Sequence, residues 1–398
     1  MLEVLSLFEK IKYHSGGWKL EAAGIVRGTD VISARFVGAG GRRAEIRLRR
    51  AGRWEPGAGT EFFELQIAGP EEARGAGERL LEAVRAALAE AEAGPDFPAG
   101  VFSGLLAPEV PQVDIWITSK CNQKCVICDI PAGWELVPGS PEAVRKEIAE
   151  KYRRGARGIK FAGRECTLEK EFAGYIEFCK RTGYETVQVM TNAVALENRR
   201  LAAKLKSAGL DRAVVSLHGH EAGTADSITG VPGDFNRTLR GIENIMAAGI
   251  LLELNFVICE GNYRSFPEYV RFVKERFGGA ARRLMVSSVV PAYRALENYG
   301  GVVPRLTDIM PFVEEGLAYC REEKVPAYVP DLCGFPACFA PGFVEMFEAV
   351  RRQRFAEVVE MKTKPEGCAA CRAVSYCDGH WAEYFRIYGD SEFAGRRF

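Results

Sequence analysis

Short apolar runs alternate with longer amphipathic segments from residue 113 onward. We expect strands at six of these runs: VDIWIT, GIKFA, TVQVMT, RAVVSL, LLELNFVI and RRLMVSSVV. Helical patterns begin between them, near Pro141, Leu168, Leu196, Phe235 and Ser265. Regular alternation of strand and helix is typical of a parallel β/α architecture.

A different pattern occupies residues 1–94. Apolar residues recur at helical spacing over residues 2–11, and the stretches VISARFV and AEIRLRR alternate as antiparallel strands do. The helical pattern GERLLEAVRAALAEAEAG closes the segment at Gly94. We therefore predict a small α+β domain over residues 1–94, followed by a Pro- and Gly-rich linker over residues 95–111.

Apolar residues recur with only weak regularity in the last part of the chain. A helix is predicted near Leu306 to Glu323, and the stretch after it is rich in Gly, Pro and Cys. We expect this stretch to be organised by metal rather than by apolar packing. The predicted domains are accordingly a barrel over residues 112–304 and a Cys-rich extension over residues 305–398.

The composition restricts the partners, the compartment and the cysteine chemistry that we expect. Lys plus Arg and Asp plus Glu both number 53, so the formal net charge of zero disfavours nucleic acid as a partner. No apolar run of roughly 18 residues predicts a membrane span, and the N-terminus is acidic by Glu3, unlike a signal peptide. A cytoplasmic protein is expected. In that reducing compartment, 12 cysteines favour metal binding over disulfides.

Cys121, Cys125 and Cys128 follow directly after the first predicted barrel strand, VDIWIT. Loops at the carboxyl ends of β/α-barrel strands are where such folds place their chemistry. Three thiolates can bind three corners of a four-iron cube and leave the fourth iron open. The alternatives are a zinc knuckle or three buried free cysteines, but zinc sites usually pair a CxxC with a distant second pair.

This CxxxCxxC loop resembles that of the radical S-adenosylmethionine (radical SAM) superfamily, and the resemblance extends over residues 111–300. It implies a partial (β/α)6 TIM-like barrel and a [4Fe-4S] cluster whose open iron binds the amine and carboxylate of S-adenosylmethionine. The reduced cluster would cleave this cosubstrate to a 5′-deoxyadenosyl radical, with flavodoxin or ferredoxin as electron donor. Ile127 stands where the family often has an aromatic residue, which leaves an apolar contact to adenine.

The segment from Gly163 to Leu168, GRECTL, resembles the family's GGEPTL turn, which binds the cosubstrate's amino group. Arg164 replaces the second glycine and Cys166 replaces the proline. Because Glu165 lies on a turn that starts with glycine, we expect its side chain at the barrel mouth rather than in the core. It would accept hydrogen bonds from the ammonium group.

The resemblance also assigns contacts with the cosubstrate to polar residues at or near strand ends: Asn192, Ser216, His218 and Asn255. Asn192 is alternatively a turn residue whose side chain caps backbone, and His218 a barrel-mouth residue with satisfied hydrogen bonds. Asn255 lies in the apolar strand LLELNFVI and needs a buried partner.

Near the end of the chain, Cys368, Cys371 and Cys377 resemble the CxxCxxxxxC core of the SPASM and Twitch extensions, which carry auxiliary iron–sulfur clusters. The full SPASM pattern has another cysteine four positions later, where this chain has Trp381. One auxiliary cluster, of the [4Fe-4S] type, is therefore expected rather than two.

The fourth ligand of that cluster would come from DLCGFPAC. We favour Cys338, in a Pro-flanked apolar stretch, over Cys333. The competing interpretation is a zinc site completed by His380 or Cys338. Cys179 and Cys320 fall on helical patterns and are expected to be core residues.

Cys259 ends the fifth predicted strand at the barrel mouth. It could give a hydrogen atom to a substrate radical, as a cysteine does in some radical peptide epimerases, or be an inert packing residue. Cys166 has the same two interpretations.

The sequence thus predicts a radical SAM enzyme. A peptide or protein substrate is favoured because an added N-terminal domain could hold a leader segment by strand addition. The alternative is a radical dehydrogenase or rearrangement enzyme acting on a small molecule. A further alternative, a non-enzymatic iron–sulfur or zinc protein for electron transfer or scaffolding, would not need the turn over residues 163–168.

Overall fold

A computed structural model describes eight stretches of the chain: residues 19–25, 31–37, 43–50, 63–68, 112–130, 140–348, 361–371 and 377–396. Two compact units contain them. The first comprises residues 1–108, 349–379 and 397–398, and the second comprises residues 109–348 and 380–396. The helices predicted at residues 2–11 and 77–94 and the linker at 95–111 lie outside the described residues.

The first unit contains a four-stranded antiparallel sheet in the order β1-β2-β3-β4. Its strands are β1 (Lys19–Ile25), β2 (Val31–Val37), β3 (Arg43–Arg50) and β4 (Phe63–Ala68). The alternating stretches VISARFV and AEIRLRR fall on β2 and β3, so the antiparallel strands predicted there are confirmed. Both β1 and β4 are edge strands of this sheet.

The second unit is built on a seven-stranded parallel sheet in sequential order, with β5 and β11 at its edges. The strands are β5 (Gln112–Trp116), β6 (Gly158–Ala162), β7 (Thr186–Thr191), β8 (Arg212–Ser216), β9 (Leu251–Ile258), β10 (Ala281–Ser288) and β11 (Ala327–Tyr328). The predicted α/β fold is confirmed as an open, partial barrel. The seventh strand was not predicted because its two residues are too few to show a period.

Helices follow most strands. Their bounds are α1 (Pro141–Arg153), α2 (Phe172–Thr182), α3 (Arg199–Ser207), α4 (Ala222–Thr229), α5 (Asp234–Ala247), α6 (Phe266–Phe277), α7 (Tyr293–Glu297), α8 (Tyr299–Val302), α9 (Leu306–Glu322) and α10 (Ala382–Tyr388). The helices predicted near Leu168 and Leu196 instead begin with 3₁₀ turns, Cys166–Leu168 and Val194–Glu197.

The outer face of the parallel sheet packs beneath helices. Its residues are apolar and completely buried, as in Phe161 of β6, Val189 of β7, Val215 of β8 and Phe256 of β9. Each such side chain removed from water contributes about 1.5–3 kcal/mol. This face accounts for the apolar runs that predicted the strands.

The inner face is charged near the beginnings of the strands. Lys160 pairs with Asp114 at 3.2 Å, and the buried Glu253 pairs with Arg212 at 3.0 Å and with Arg283 at 3.2 Å. These contacts join neighbouring strands, β5 with β6 and β8 with β9 and β10. Among the described strands, this face therefore carries one net positive charge.

Residues 380–396 overturn the expectation of weak apolar packing in the final stretch. Tyr384 is 1% exposed, lies against the rings of His380 and Phe393, and accepts a hydrogen bond from the Leu306 backbone at 2.8 Å. Phe393 packs on Phe339 with ring centroids 5.0 Å apart. The aromatic side chains thus organise this part of the chain. Among the described helices, none is both long and apolar enough to cross a membrane.

Candidate active site

The loop after β5 carries Cys121, Cys125 and Cys128 at the carboxyl edge of the sheet. Two backbone hydrogen bonds hold it: Lys124 N–H to Thr229 O and Val126 N–H to Ile228 O, both 2.9 Å long. A Cβ atom on Gly230, which has φ +69°, would stand 2.9 Å from the Lys124 carbonyl oxygen. Glycine is therefore required where the loop crosses the end of α4.

The three thiols of this loop lie within each other's electrostatic range. The pKa of Cys125 is raised to about 12, first by burial and then by the charges of Cys121 and Cys128. Three adjacent thiolates are unfavourable without a cation between them, so this donor set fits an iron–sulfur cluster, which binds thiolates. Among the described residues, no three Cys, His, Asp or Glu side chains surround a single ion position. A four-iron cluster does not require three side chains around a single ion position, because each thiolate binds its own iron.

The turn after β6 is joined to this loop by a hydrogen bond from Glu165 N–H to Lys120 O at 2.9 Å. Gly163 begins the turn with φ +98°, and a Cβ there would approach the Trp116 ring to 3.3 Å. The predicted glycine turn is therefore present and adjacent to the cysteine loop. The next residue, Arg164, places its guanidinium beside Cys128.

Glu165 does not lie where the sequence predicts. Its side chain is 3% exposed, and its two oxygens accept hydrogen bonds from Thr167 N–H, Thr167 Oγ1, Thr191 Oγ1 and Asn192 N–H, at 2.5–3.1 Å. Burial raises the pKa of this carboxyl, and the hydrogen bonds oppose the rise. The expectation of a mouth-facing side chain is wrong, because four donors hold the carboxylate inside the protein.

Asn192 connects the end of β7 to the cysteine loop. Its Oδ1 accepts a hydrogen bond from Val194 N–H at 3.0 Å, as a turn-capping residue does, and its Nδ2 donates to Asn122 Oδ1 at 2.7 Å. The turn-capping alternative is therefore observed, together with a contact to the loop. Its predicted contact with the cosubstrate stays a prediction.

His218 follows the end of β8 and is buried, and its Nδ1 accepts a hydrogen bond from Val257 N–H at 3.3 Å. Burial lowers the pKa of its imidazole to about 4. The ring is therefore neutral near pH 7 and carries its proton on Nε2. The preceding strand-end residue, Ser216, lies beside Asn255 across the sheet.

Asn255 of β9 has the buried partner that its position demands, because its Oδ1 accepts a hydrogen bond from Ser287 Oγ at 2.9 Å. Ser287 in turn accepts a hydrogen bond from Cys333 Sγ at 3.5 Å. Cys333 therefore lies against the inner side of β10, which the sequence did not predict. The only signal was the pair Ser287–Ser288 within an otherwise apolar strand.

Asn262 was also missed. It is 2% exposed, and its side chain donates to the carbonyls of His218 and Val257 and accepts from Cys259 N–H, at 2.8–3.0 Å. It thus braces the ends of β8 and β9 against each other. Its position directly after a glycine in CEGN was the available signal.

Cys259 is 1% exposed and lines a cavity of about 420 Å³ together with Val126, Ile228, Gly261 and Val302, among others. Burial raises the pKa of its thiol to about 12, so it stays protonated near pH 7. Ile127, next to Val126 in the cysteine loop, is buried. The roles predicted for Cys259 and Ile127 stay predictions.

Comparison with known proteins identifies the family. Residues 115–273 match the model of the radical SAM superfamily. An Fe-coproporphyrin III synthase of Methanosarcina barkeri is 32% identical over 288 residues, which cover 68% of this chain and 69% of that protein.

The chain belongs to the radical SAM superfamily.

A probable GTP 3′,8-cyclase of Saccharolobus solfataricus is 34% identical over 168 residues, covering 40% of this chain and 51% of that protein. The chain thus spans about half the length of such cyclases. The crystal structure of Streptococcus suis SuiB bound to S-adenosylmethionine aligns with a TM-score of 0.45 at 17% identity, over 64% of this chain and 56% of that one.

Membership in the radical SAM superfamily makes the chain an enzyme, in agreement with the prediction, and sets aside the non-enzymatic alternative. It also implies a [4Fe-4S] cluster and S-adenosylmethionine as cosubstrate. The CxxxCxxC loop and the glycine turn both lie within the matched residues.

Three further cysteines of this radical SAM protein lie in the first unit. The pKa of Cys368 is raised by burial and then by the charges of Cys377 and Cys371, so these three thiols also lie near one another. Gly379 N–H donates to Cys377 Sγ at 3.3 Å. In the second unit, Cys179 and Cys320 are buried on α2 and α9, as their helical patterns predict.

Proposed function

We propose that Cys121, Cys125 and Cys128 hold the [4Fe-4S] cluster and that the enzyme uses it to begin hydrogen abstraction from its substrate. The observation that carries the proposal is the placement of three mutually interacting thiols on one anchored loop at the carboxyl edge of the sheet. When bound and reduced, the cluster supplies one electron for cleavage of S-adenosylmethionine to methionine and a 5′-deoxyadenosyl radical. Flavodoxin or ferredoxin is the proposed electron donor.

The residues around the loop would orient the cosubstrate. The Nδ2 group of Asn255 has no hydrogen-bond partner among the described residues, so it can donate to a bound ligand. His218 keeps a proton on Nε2 because its Nδ1 is occupied by the Val257 backbone. Ser216 adds a hydroxyl beside Asn255. Gly163 would contribute backbone groups, and Ile127 an apolar contact.

Glu165 acts on the cosubstrate indirectly in this proposal. Its carboxylate fixes the ends of β6 and β7 by bonding Thr191 and Asn192, and its backbone N–H bonds Lys120 in the cysteine loop. It therefore fixes the positions of the turn, the end of β7 and the cysteine loop relative to one another. Glu165 is a positioning residue, and the ammonium contact that the family resemblance implies would fall on its Oε2, which accepts one hydrogen bond, from Asn192 N–H.

For the substrate we favour a small anionic molecule over the peptide that the sequence favoured. Relatives whose names specify GTP and coproporphyrin support this choice. A peptide is the second candidate, and the edge strands β1 and β4 favour it, since an edge strand can pair with an added strand.

The rate of 5′-deoxyadenosine formation distinguishes these substrates. We expect GTP or iron coproporphyrin III to accelerate it severalfold over the substrate-free rate in reduced, anaerobic enzyme. Acceleration only by peptides encoded beside the gene would instead select the peptide candidate.

We further propose an auxiliary [4Fe-4S] cluster held by Cys368, Cys371 and Cys377, as in a SPASM- or Twitch-like extension. Their mutual electrostatic effects support it. Cys338 is the proposed fourth ligand and Cys333 the alternative. His380, the histidine of the zinc alternative, lies 1% exposed against the rings of Tyr384 and Phe385, which favours a packing role for it.

A further inference from the structure

Arg164 is a cationic side chain that lies beside the cysteine loop. Its Nη1 is 3.9 Å from Cys128 Sγ, and its Nη2 donates to the Ile130 carbonyl at 3.2 Å. One guanidinium thus contacts both a thiol of the loop and the backbone two residues beyond it. Because a guanidinium is always charged in proteins, this contact places a permanent positive charge next to the third cysteine.

The backbone of the turn fixes this guanidinium in place. Gly163 before it has φ +98° and packs against Trp116, and Glu165 after it is tied to Lys120 by its N–H and to β7 by its carboxylate. Cys121 also lies within electrostatic range of this guanidinium. In the GGEPTL turn that this segment resembles, the corresponding residue is a glycine and has no side chain.

We propose that Arg164 raises the reduction potential of the cluster held by Cys121, Cys125 and Cys128. This inference rests on the proposed function, which places the cluster there. A [4Fe-4S]²⁺ core with three thiolates carries a net charge of about −1, and one-electron reduction makes it about −2. A fixed cation and an N–H···S hydrogen bond both stabilise the more negative state, so the reduced cluster becomes more populated at a given potential.

The test is a redox titration of the reconstituted full chain followed by electron paramagnetic resonance. The signal to follow is the one that disappears when Cys121, Cys125 and Cys128 are all replaced by Ala. At a fixed applied potential we expect Arg164→Gln to lower the ratio of reduced to oxidised cluster about tenfold, which equals about 59 mV for a one-electron couple. Arg164→Lys should keep most of the wild-type ratio.

Arg153→Gln is the matched control, because it removes the same charge from an exposed position in the last turn of α1. It should leave the ratio unchanged. Arg164→Gly, the residue of the family turn, provides a second variant if Arg164→Gln does not assemble its cluster, and it should show the same fall. Equal ratios in wild type and in the variant that assembles would overturn the inference, whereas a wild type without any loop-cluster signal would overturn the proposed function itself.

Discussion

Glu165→Gln is expected to lower the free energy of unfolding by about 1–3 kcal/mol, because it disrupts a buried carboxylate that accepts four hydrogen bonds. One oxygen accepts from Thr167 N–H, Thr167 Oγ1 and Thr191 Oγ1, and the other accepts from Asn192 N–H. A glutamine amide must present its NH₂ group to one of these sets of donors. At least one donor then loses its acceptor inside the protein. Chemical denaturation of the variant measures the loss directly.

The same variant should bind S-adenosylmethionine more weakly, because the turn and the cysteine loop lose a shared support. A side chain at the barrel mouth, as the sequence predicts, would instead leave the melting near normal and weaken cosubstrate binding alone. Glu171→Gln is the control: that side chain is exposed and pairs with Arg145, so its unfolding free energy should change by less than about 0.5 kcal/mol. Wild-type stability in Glu165→Gln would show that the buried hydrogen bonds contribute nothing.

Replacing Cys121, Cys125 and Cys128 together by Ala should halve the iron content, from about eight to about four atoms per chain. The remaining iron belongs to the proposed auxiliary cluster. Replacing Cys368, Cys371 and Cys377 together should also leave about four, now in the loop cluster. Iron analysis of anaerobically reconstituted protein makes both measurements.

Zinc provides the contrast in this experiment. If the variant lacking Cys121, Cys125 and Cys128 contains zinc and no iron, the C-terminal cysteines form a zinc site and not the auxiliary cluster. If wild type contains about four irons and that variant contains none, the result supports the loop cluster and excludes the auxiliary cluster. Cys179→Ala, at a buried core position on α2, serves as a cysteine control and should retain about eight irons.

The sequence predicted the sheet well because its outer face is apolar. Phe161, Val189 and Val215 are completely buried beneath helices, and runs of such residues identify strands without any knowledge of their neighbours. β11 escaped prediction, since two residues joined to β10 leave no pattern. Helix α4 escaped because AGTADSIT contains few strong helix formers and ends at Gly230.

The position of Glu165 could not be predicted from its turn alone. A glutamate after glycine resembles an exposed residue, but its environment is supplied by Thr191 and Asn192, which are 26 and 27 positions further along the chain. The contact between Cys333 and Ser287, 46 positions apart, escaped for the same reason. Spacing identified the cysteine loop, because all of its thiols lie within eight consecutive residues.

The loop of Cys121, Cys125 and Cys128 is expected to support reductive cleavage of S-adenosylmethionine, and product analysis tests this most directly. Reconstituted enzyme is incubated anaerobically with dithionite and S-adenosylmethionine, and 5′-deoxyadenosine and methionine are quantified. We predict both products from wild type and from Cys320→Ala, whose cysteine is buried on α9, and neither product from Cys125→Ala. Iron-replete wild type that forms no 5′-deoxyadenosine, or Cys125→Ala that forms as much as wild type, would contradict the account.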